Sequence, residues 1–417
     1  AVLAGEQELV VYECDAYTLQ RNPPTAVVLP RSTHEVAAVV RLCAELDVPI
    51  IPRGAGTGLS GAVLAVDGGV MIALTRMNHV LNIDARNRRA LVEAGCVNAW
   101  ITRDAAQHGL FYAPDPSSQT ACTIGGNIAT NSGGPHTLKN GVTTNHVLGY
   151  EMVLPDGTIE WLGAEPDGGE EVGGYDLRGA AIGSEGMFGV VTTVLVRLMK
   201  TPPAFKTFLG VFESVDEASQ AVSGIIAAGI VPAALEMMDQ LITQALEEAY
   251  HFGFPLDAGA VLIVELDGLA KGIEQQAKRV EEICRRNNAR EVRLAKDDAE
   301  RAAVEHPGRV VMLETRHPDH WGNPGVLRRD TDIDRVLDRH RVVLHVDEQP
   351  IISARFHDFS DINTACLSHA HSDGKFTGLQ AFARNVTNMD HIFPFHGTSV
   401  VDGQVSPRSC RRRWIKA

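Results

Sequence analysis

The sequence predicts an α+β protein built in more than one part, and three observations lead there. Over the first two hundred residues, short β-branched runs alternate with amphipathic ones, and Gly-rich stretches interrupt them at residues 53–61, 113–134 and 183–189. From Phe205 to Leu294 the pattern becomes a regular alternation of strand and helix. After about Glu300 strong periodicity disappears, and ten of the 16 histidines lie there. A chain of 417 residues is long for one domain. The divisions these changes suggest are 1–203, 204–300 and 301–417, with Pro202-Pro203 as the first boundary.

The elements follow in order. Thr25 to Leu29 reads as a strand stopped by Pro30, and Ser32 or Thr33 can cap a helix with Val36, Val39, Val40 and Leu42 at helical spacing. Pro49 to Pro52 is a short buried strand running into RGAGTGLSGAV, where Gly56 to Gly61 matches G-x-G-x-x-G. A nicotinamide-binding Rossmann unit requires a helix to start in that loop. Ala62 to Leu74 reads instead as strand, turn and strand, so the Rossmann reading fails on context. The loop can still wrap a diphosphate with its Gly amides and the Thr57 and Ser60 hydroxyls. Strands on either side of Ala85-Arg86-Asn87 come next, then a helix from Val97 to His108 closed by Gly109.

The stretch Ala113 to Gly134 organises the rest. It holds four glycines, two prolines and eight Ser, Thr or Asn residues, with no Lys or Arg. Ala121, Ile124, Ile128 and Ala129 are interleaved with these, which predicts a buried loop lining something rather than a solvated one. Val147 to Leu154 and Thr158 to Leu162 form a hairpin across Pro155-Asp156-Gly157. Gly183-Ser184-Glu185-Gly186 is a turn, followed by a β-branched strand from Val190 to Leu198.

Composition limits the function. A net charge of −14 argues against nucleic acid or an anionic membrane as the main partner, since both need a basic footprint. No apolar run is long enough to span a membrane, the best being broken by Ser223, Gly224, Gly229, Pro232 and Glu236. No signal peptide is visible in the residues given. Seven scattered cysteines without a C-x-x-C pair fit a reducing compartment and no cysteine-bound metal. A cytoplasmic protein is expected.

Three ordered motifs carry a resemblance. P-R-G-x-G-T-G-L-S-G, then P-D-P-S-S…I-G-G-N-x-A-T-N-S-G-G, then G-S-E-G-x-x-G-V-V together resemble the FAD-binding domain of the vanillyl-alcohol-oxidase/PCMH superfamily. The branch they resemble is that of the glycolate oxidase FAD subunit and D-lactate dehydrogenase, over about residues 9 to 300, and Tyr12-Glu13-Cys14-Asp15 fits its start. The resemblance implies a PCMH-type FAD-binding domain of two α/β subdomains, then an α+β, ferredoxin-like cap domain and an atypical C-terminal segment. It implies that Arg53, Gly54, Ala55, Gly56, Thr57, Gly58, Leu59, Ser60 and Gly61 wrap the FAD pyrophosphate. Pro114, Asp115, Ser118, Thr123, Gly125, Gly126, Asn127, Ala129, Thr130, Asn131, Gly133 and Gly134, with Gly141 beyond, would run along the ribityl chain and isoalloxazine. Glu185, Gly186, Gly189 and Val190 would close over the dinucleotide. The first loop has no His or Cys, so non-covalent FAD is expected.

The resemblance further implies hydride transfer from a small 2-hydroxy acid, glycolate or D-lactate, to flavin N5. Other glycolate oxidase subunits, including an iron–sulfur protein, are the implied partners, and through them an association with the membrane. His136 is open between a catalytic base and a polar packing residue, and no catalytic residue is assigned.

The cap reads β-α-β-α-β-α-β with its helices on one side: strands at Lys206 to Phe212, Ala233 to Met237, Ala260 to Leu266 and Glu291 to Leu294, and helices at Val215 to Ala228, Leu241 to Tyr250 and Lys271 to Asn288. Glu236, Asp239, Glu265 and Asp267 read as solvated charges at strand ends. Beyond residue 300 the family's W-x-x-R-K-like and H-x-G-D-G-N-x-H segments have no counterpart; Arg309 is a faint echo, and only Ile333 to Leu337 and Val342 to Val346 read as packed elements. His369, His371 and Asp373 lack a third ligand by spacing, so no metal is assigned. Arg408, Arg411, Arg412, Arg413 and Lys416 read as a solvated basic tail. The alternative to an active oxidase is therefore an FAD-binding protein with impaired or no catalysis.

Overall fold

The computed structural model describes residues 1–168, 174–250 and 253–295, and the backbone of 342–346 and 349–354. The first sheet is made by β1 (Val2–Leu3), β2 (Ala26–Val28), β3 (Ile50–Arg53) and β4 (Val70–Ala73), in the order β1-β2-β4-β3, with β2, β4 and β3 parallel. Helix α1 (Glu6–Leu9) lies between β1 and β2, and α2 (Thr33–Glu45) makes the crossover from β2 to β3. Ser32 caps α2 by accepting from the Glu35 amide. Its Val36, Ala37 and Val40 are buried with Ile72, Leu74, Val153 and Val190, so α2 joins the first sheet to the second.

The second sheet is antiparallel. Strands β5 (Val80–Asp84) and β6 (Arg89–Glu93) precede helix α3 (Asn98–Ala105) and the short β7 (Leu110–Phe111). Helices α4 (Ile124–Thr130) and α5 (Thr137–Asn140) come next, then the hairpin of β8 (Val147–Val153) and β9 (Ile159–Gly163). Helix α6 (Leu177–Ala181) leads to β10 (Val190–Arg197), which inserts between β6 and β8 to give the order β5-β6-β10-β8-β9. Strand β11 (Met199–Lys200) pairs with β7. Val92, Ile101, Ile124, Ile128, Tyr150 and Val194 form one core between this sheet and α3 and α4.

Two sequence expectations are corrected here. Residues 62–69 hold turns and no strand; only the second half of the expected strand pair exists, as β4. The central stretch is not all loop, because α4 lies inside it. Glycine disfavours helix, but Thr123 caps this one through the Gly126 amide, and buried Ile124, Asn127 and Ile128 hold it to the core.

A third layer contains β12 (Ala204–Phe212), α7 (Val215–Ala227), β13 (Ala234–Asp239), α8 (Gln240–Tyr250), β14 (Ala260–Gly268), α9 (Ala270–Arg286) and β15 (Glu291–Leu294). Its strands are antiparallel in the order β13-β14-β12-β15. Phe208, Phe212, Leu262, Val264 and Leu266 pack against α7 and α9 on one face. The expected placement of every helix on that side does not hold: the buried Ile242 and Leu246 of α8 lie outside this cluster. Residues Val342–Val346 (β16) and Gln349–Ala354 (β17) form an antiparallel hairpin, in agreement with the expected element at 342–346. The expected element at 333–337, Arg309, the His369, His371 and Asp373 group, and the basic residues from Arg408 onward lie outside the described residues. Among the described residues no helix is long and apolar enough to cross a membrane.

Candidate functional site

The three Gly-rich stretches meet at one cleft. Its walls are Pro52, Arg53 and Gly54 from the first, Thr123, Gly125, Gly126, Ile128 and Ala129 from the second, and Ser184, Glu185, Gly186, Gly189 and Val190 from the third. Leu74, Met152, Ala181 and Val191 complete it. Local hydrogen bonds bring them together. The amides of Gly183 and Glu185 donate to the carbonyls of Ile128 and Ala129 at 2.8 and 2.7 Å, which ties the third stretch to α4. The amides of Ile124 and Gly125 donate to the carbonyls of Cys96 and Ala94, which ties α4 to the end of β6. A Cβ on Gly54 would stand 2.3 Å from the Thr123 Oγ1, so the first stretch lies directly against the cap of α4.

Gly126 differs from its neighbours. A Cβ there would meet only the Thr123 Oγ1, at 3.3 Å, and otherwise open space. Packing within the protein gives little reason for glycine at this position, whereas close approach of a ligand to the backbone does. The cleft thus offers apolar side chains for a ring, Cβ-free backbone, and hydroxyls.

The rest of the first loop, Ala55 to Gly61, lies outside these walls. It is braced from below by residues 12–17. Arg53, 8% exposed, donates from Nη1 to the Cys14 carbonyl at 2.9 Å and stacks on the Tyr12 ring with Cζ 5.6 Å from the centroid. The Ala16 amide donates to the Gly58 carbonyl. Burial pushes the neighbouring Asp15 carboxyl upward, against hydrogen bonds from the Tyr17 and Gly61 amides and the Arg53 charge. Several other expected residues serve the loop itself. Pro114 accepts from the Asn98 Nδ2, Thr130 donates to the Gly126 carbonyl, and Asn131 accepts from the Thr144 amide. The Ser118 carbonyl accepts from the amides of Ala121 and Cys122. Asn127 is buried, and Gly141 caps α5.

A second cluster was not legible in the sequence. His136 places Nδ1 2.7 Å from Asp115 Oδ2 and Nε2 3.3 Å from Glu265 Oε1. Lys139 pairs with Asp267 beside it. Reading Glu265 and Asp267 as solvated charges at strand ends is therefore wrong. Glu265 is 3% exposed and lies within β14, on the face away from α7 and α9. The available signal was an acidic residue inside the apolar run AVLIVEL, out of phase with Leu262, Val264 and Leu266. Burial works against a charge on His136, but hydrogen bonds and charge from Asp115 and Glu265 outweigh it and push its pKa up to about 10. Burial lowers that of Lys139, with Glu265 opposing. Both ring nitrogens of His136 are thus taken up by carboxylates.

Cys96 and Cys122 flank the start of α4. Burial pushes their thiols up to about 12 and about 11. Neither is expected to react with iodoacetamide at pH 8 while the protein is folded, and both should react after denaturation. Peptide mass spectrometry checks this; labelling of either in the native protein would contradict the burial described.

Residues 24–163 match the FAD binding domain family, and residues 201–316 match the C-terminal domain of FAD linked oxidases. The chain is 44% identical over 300 residues to the glycolate oxidase subunit GlcD of Escherichia coli (strain K12), covering 72% of this chain and 60% of that one. It is 37% identical over 225 residues to a D-lactate dehydrogenase of Anaerostipes hadrus, covering 54% and 47%. The chain thus spans under two thirds of the length of these relatives. The fold is similar to that of substrate-bound p-cresol methylhydroxylase, with a TM-score of 0.63 at 18% identity, over 75% of this chain and 68% of that one. Two consecutive family matches and relatives sharing two residues in five agree with the cleft where the Gly-rich stretches converge: the chain carries an FAD binding domain followed by the C-terminal domain of FAD linked oxidases, and its cofactor is FAD.

Proposed function

We propose that this protein holds FAD non-covalently in the cleft and oxidises a small 2-hydroxy acid, glycolate or D-lactate. The observation that carries the reading is the convergence of three Gly-rich stretches on one cleft, with open space where Gly126 lacks a Cβ. FAD held there would supply the two-electron oxidation. The protein's part is to hold and exclude. Leu74, Ile128, Met152, Val190 and Val191 would wall off water along a ring, while the backbone of Gly54, Gly125 and Gly126 lines the cleft for the polar parts of the dinucleotide, and the loop of residues 55–61 beyond the walls would take its diphosphate. Non-covalent binding is supported by the absence of His and Cys from the first loop and by the burial of Cys96 and Cys122. His136 is engaged by two carboxylates. The substrate class follows from the relatives named glycolate oxidase subunit and D-lactate dehydrogenase. Other subunits of such an oxidase, including an iron–sulfur protein, are the proposed electron-accepting partners. We assign residues 1–203 to the cofactor, 204–300 to the cap and 301–417 to a separate C-terminal segment.

A second reading, FAD binding without turnover, is favoured by one observation: the histidine and arginine motifs expected beyond residue 300 are missing from the sequence. One measurement separates the two. Absorbance spectra of the FAD-reconstituted protein are recorded anaerobically before and after millimolar glycolate or D-lactate. Bleaching of the flavin bands is the expected result. Bands that persist favour the second reading, and a protein that takes up no FAD overturns both.

A further inference from the structure

We infer that His136, Asp115 and Glu265 form a charged clasp joining the central Gly-rich stretch to the β14 sheet, with an imidazolium at its centre. Both ring nitrogens face carboxylate oxygens, at 2.7 and 3.3 Å. A neutral imidazole has one N–H and can donate to only one of them; the imidazolium donates to both. Asp115 and Glu265 are 8% and 3% exposed, and two carboxylates so buried need a cation close by.

The surroundings bear on the charge. From α5 comes Lys139, paired with Asp267 of β14; Glu236 of β13 lies on the same face of the sheet as Glu265; Thr207 of β12 stands opposite Glu265. Around the ring, three carboxylates, Asp115, Glu265 and Asp267, stand against the single ammonium of Lys139, an excess of negative charge that retains a proton on the imidazole. The raised pKa of His136 agrees with this geometry.

The clasp spans two parts of the fold. Asp115 opens the same stretch that supplies Thr123 to Ala129 to the cofactor cleft. Glu265 belongs to a strand of the third layer, 129 residues from His136. Holding one to the other couples the cleft wall to that sheet, whatever substrate the protein takes.

The sign of the pH dependence follows. A folded-state pKa raised from the ordinary 6.5 to about 10 gives stabilisation that is complete below 6.5. It declines as pH rises and is lost through 10.

The test uses the full chain without substrate, so its outcome is independent of the oxidase reading. Hydrogen exchange, corrected for intrinsic rates, is followed at residues 131–146 and 260–268 in the wild type, His136→Gln, Glu265→Gln and the double variant. His136→Gln is expected to speed exchange at least tenfold at both segments, with 80–93 unchanged. The double variant should exchange much more slowly than the product of the single effects predicts, because Glu265→Gln removes the carboxylate left without its cation. An effect confined to 131–146, or single effects that multiply, would overturn the clasp. A measurement on the wild type stands even if the variants fail to fold. With 15N-labelled histidine, one imidazolium signal should persist at pH 8.5 after solvated histidines have lost theirs, and its absence there refutes the inference.

Discussion

Replacing Gly126 with leucine is expected to weaken FAD binding at least a hundredfold while leaving the apoprotein as stable as the parent. The two halves of this result have separate causes. Gly126 lies inside α4, where glycine is worse than other residues by roughly 1 kcal/mol, so a side chain helps the helix. The Cβ meets one protein atom within 4 Å, the Thr123 Oγ1 at 3.3 Å, which a shift of a few tenths of an ångström relieves. A Cβ at this position meets no other protein atom within 4 Å outside the helix's own backbone. The cleft is where the cost falls, because Gly126 lines it and the leucine side chain would fill space proposed for FAD. A hundredfold loss corresponds to about 2.7 kcal/mol, comparable to a buried overpacking penalty of about 1–3 kcal/mol. Flavin fluorescence titration reads the affinity, and thermal unfolding without FAD reads the stability. Gly126→Ala should fall between the two. Unchanged FAD affinity in the leucine variant would remove Gly126 from the site, and an unfolded apoprotein would show that the glycine serves packing.

How much of this could be read beforehand depends on the range of the interactions involved. The strands Ala26–Val28, Ile50–Arg53 and Val190–Arg197 and the cap of α2 at Ser32 were legible because local residues determine them: β-branched runs, prolines, and a serine before a periodic helix. The three Gly-rich stretches were legible as motifs, and the structure brings ten of their expected residues into one cleft: Arg53, Gly54, Thr123, Gly125, Gly126, Ala129, Glu185, Gly186, Gly189 and Val190. Helix α4 was hidden because its two glycines speak against helix locally, while the Thr123 cap and the burial of Ile124 and Ile128 are tertiary facts. Leu74, just past β4, and Met152 of β8 reach the cleft from runs whose apolar residues read only as core. The His136 clasp was hidden for a stronger reason. Its members lie 21 and 129 positions apart, and no local pattern announces a pairing across layers. Had Glu265 been phased against Leu262 and Val264, its place on the other face of the sheet would have followed. Its partner would still have stayed unknown.

Gly56→Ala should abolish FAD binding by a different route, from beneath the loop. The backbone at Gly56 has φ +71, a conformation that costs an alanine roughly 1–2 kcal/mol. The added Cβ would also stand 2.2 Å from Arg53 Nη2 and 2.5 Å from its Cζ. A free surface arginine would swing aside, but this guanidinium is pinned by the Cys14 carbonyl and the Tyr12 ring and is 8% exposed. Displacing it strips a buried charge of partners, a loss of about 3–5 kcal/mol. Either the loop opens or Arg53 leaves its site, and in both cases the loop loses the shape on which the proposed contact of residues 54–61 with a diphosphate depends. The cores formed by Val92, Ile101 and Tyr150 and by Phe212, Leu262 and Val264 lie elsewhere, so the rest of the protein should stay folded. The expected result is a far-ultraviolet spectrum like the parent's with FAD affinity reduced more than a hundredfold. Proteolysis should become faster at residues 54–64 and at 12–17, the two sides of the brace. Arg53→Lys should give a milder loss, since an ammonium retains the charge and can still donate to the Cys14 carbonyl but lacks the planar stack on Tyr12. If Gly56→Ala bound FAD normally, neither the left-handed turn nor the buried arginine would be shaping the loop, and the diphosphate would have to be placed elsewhere in the cleft.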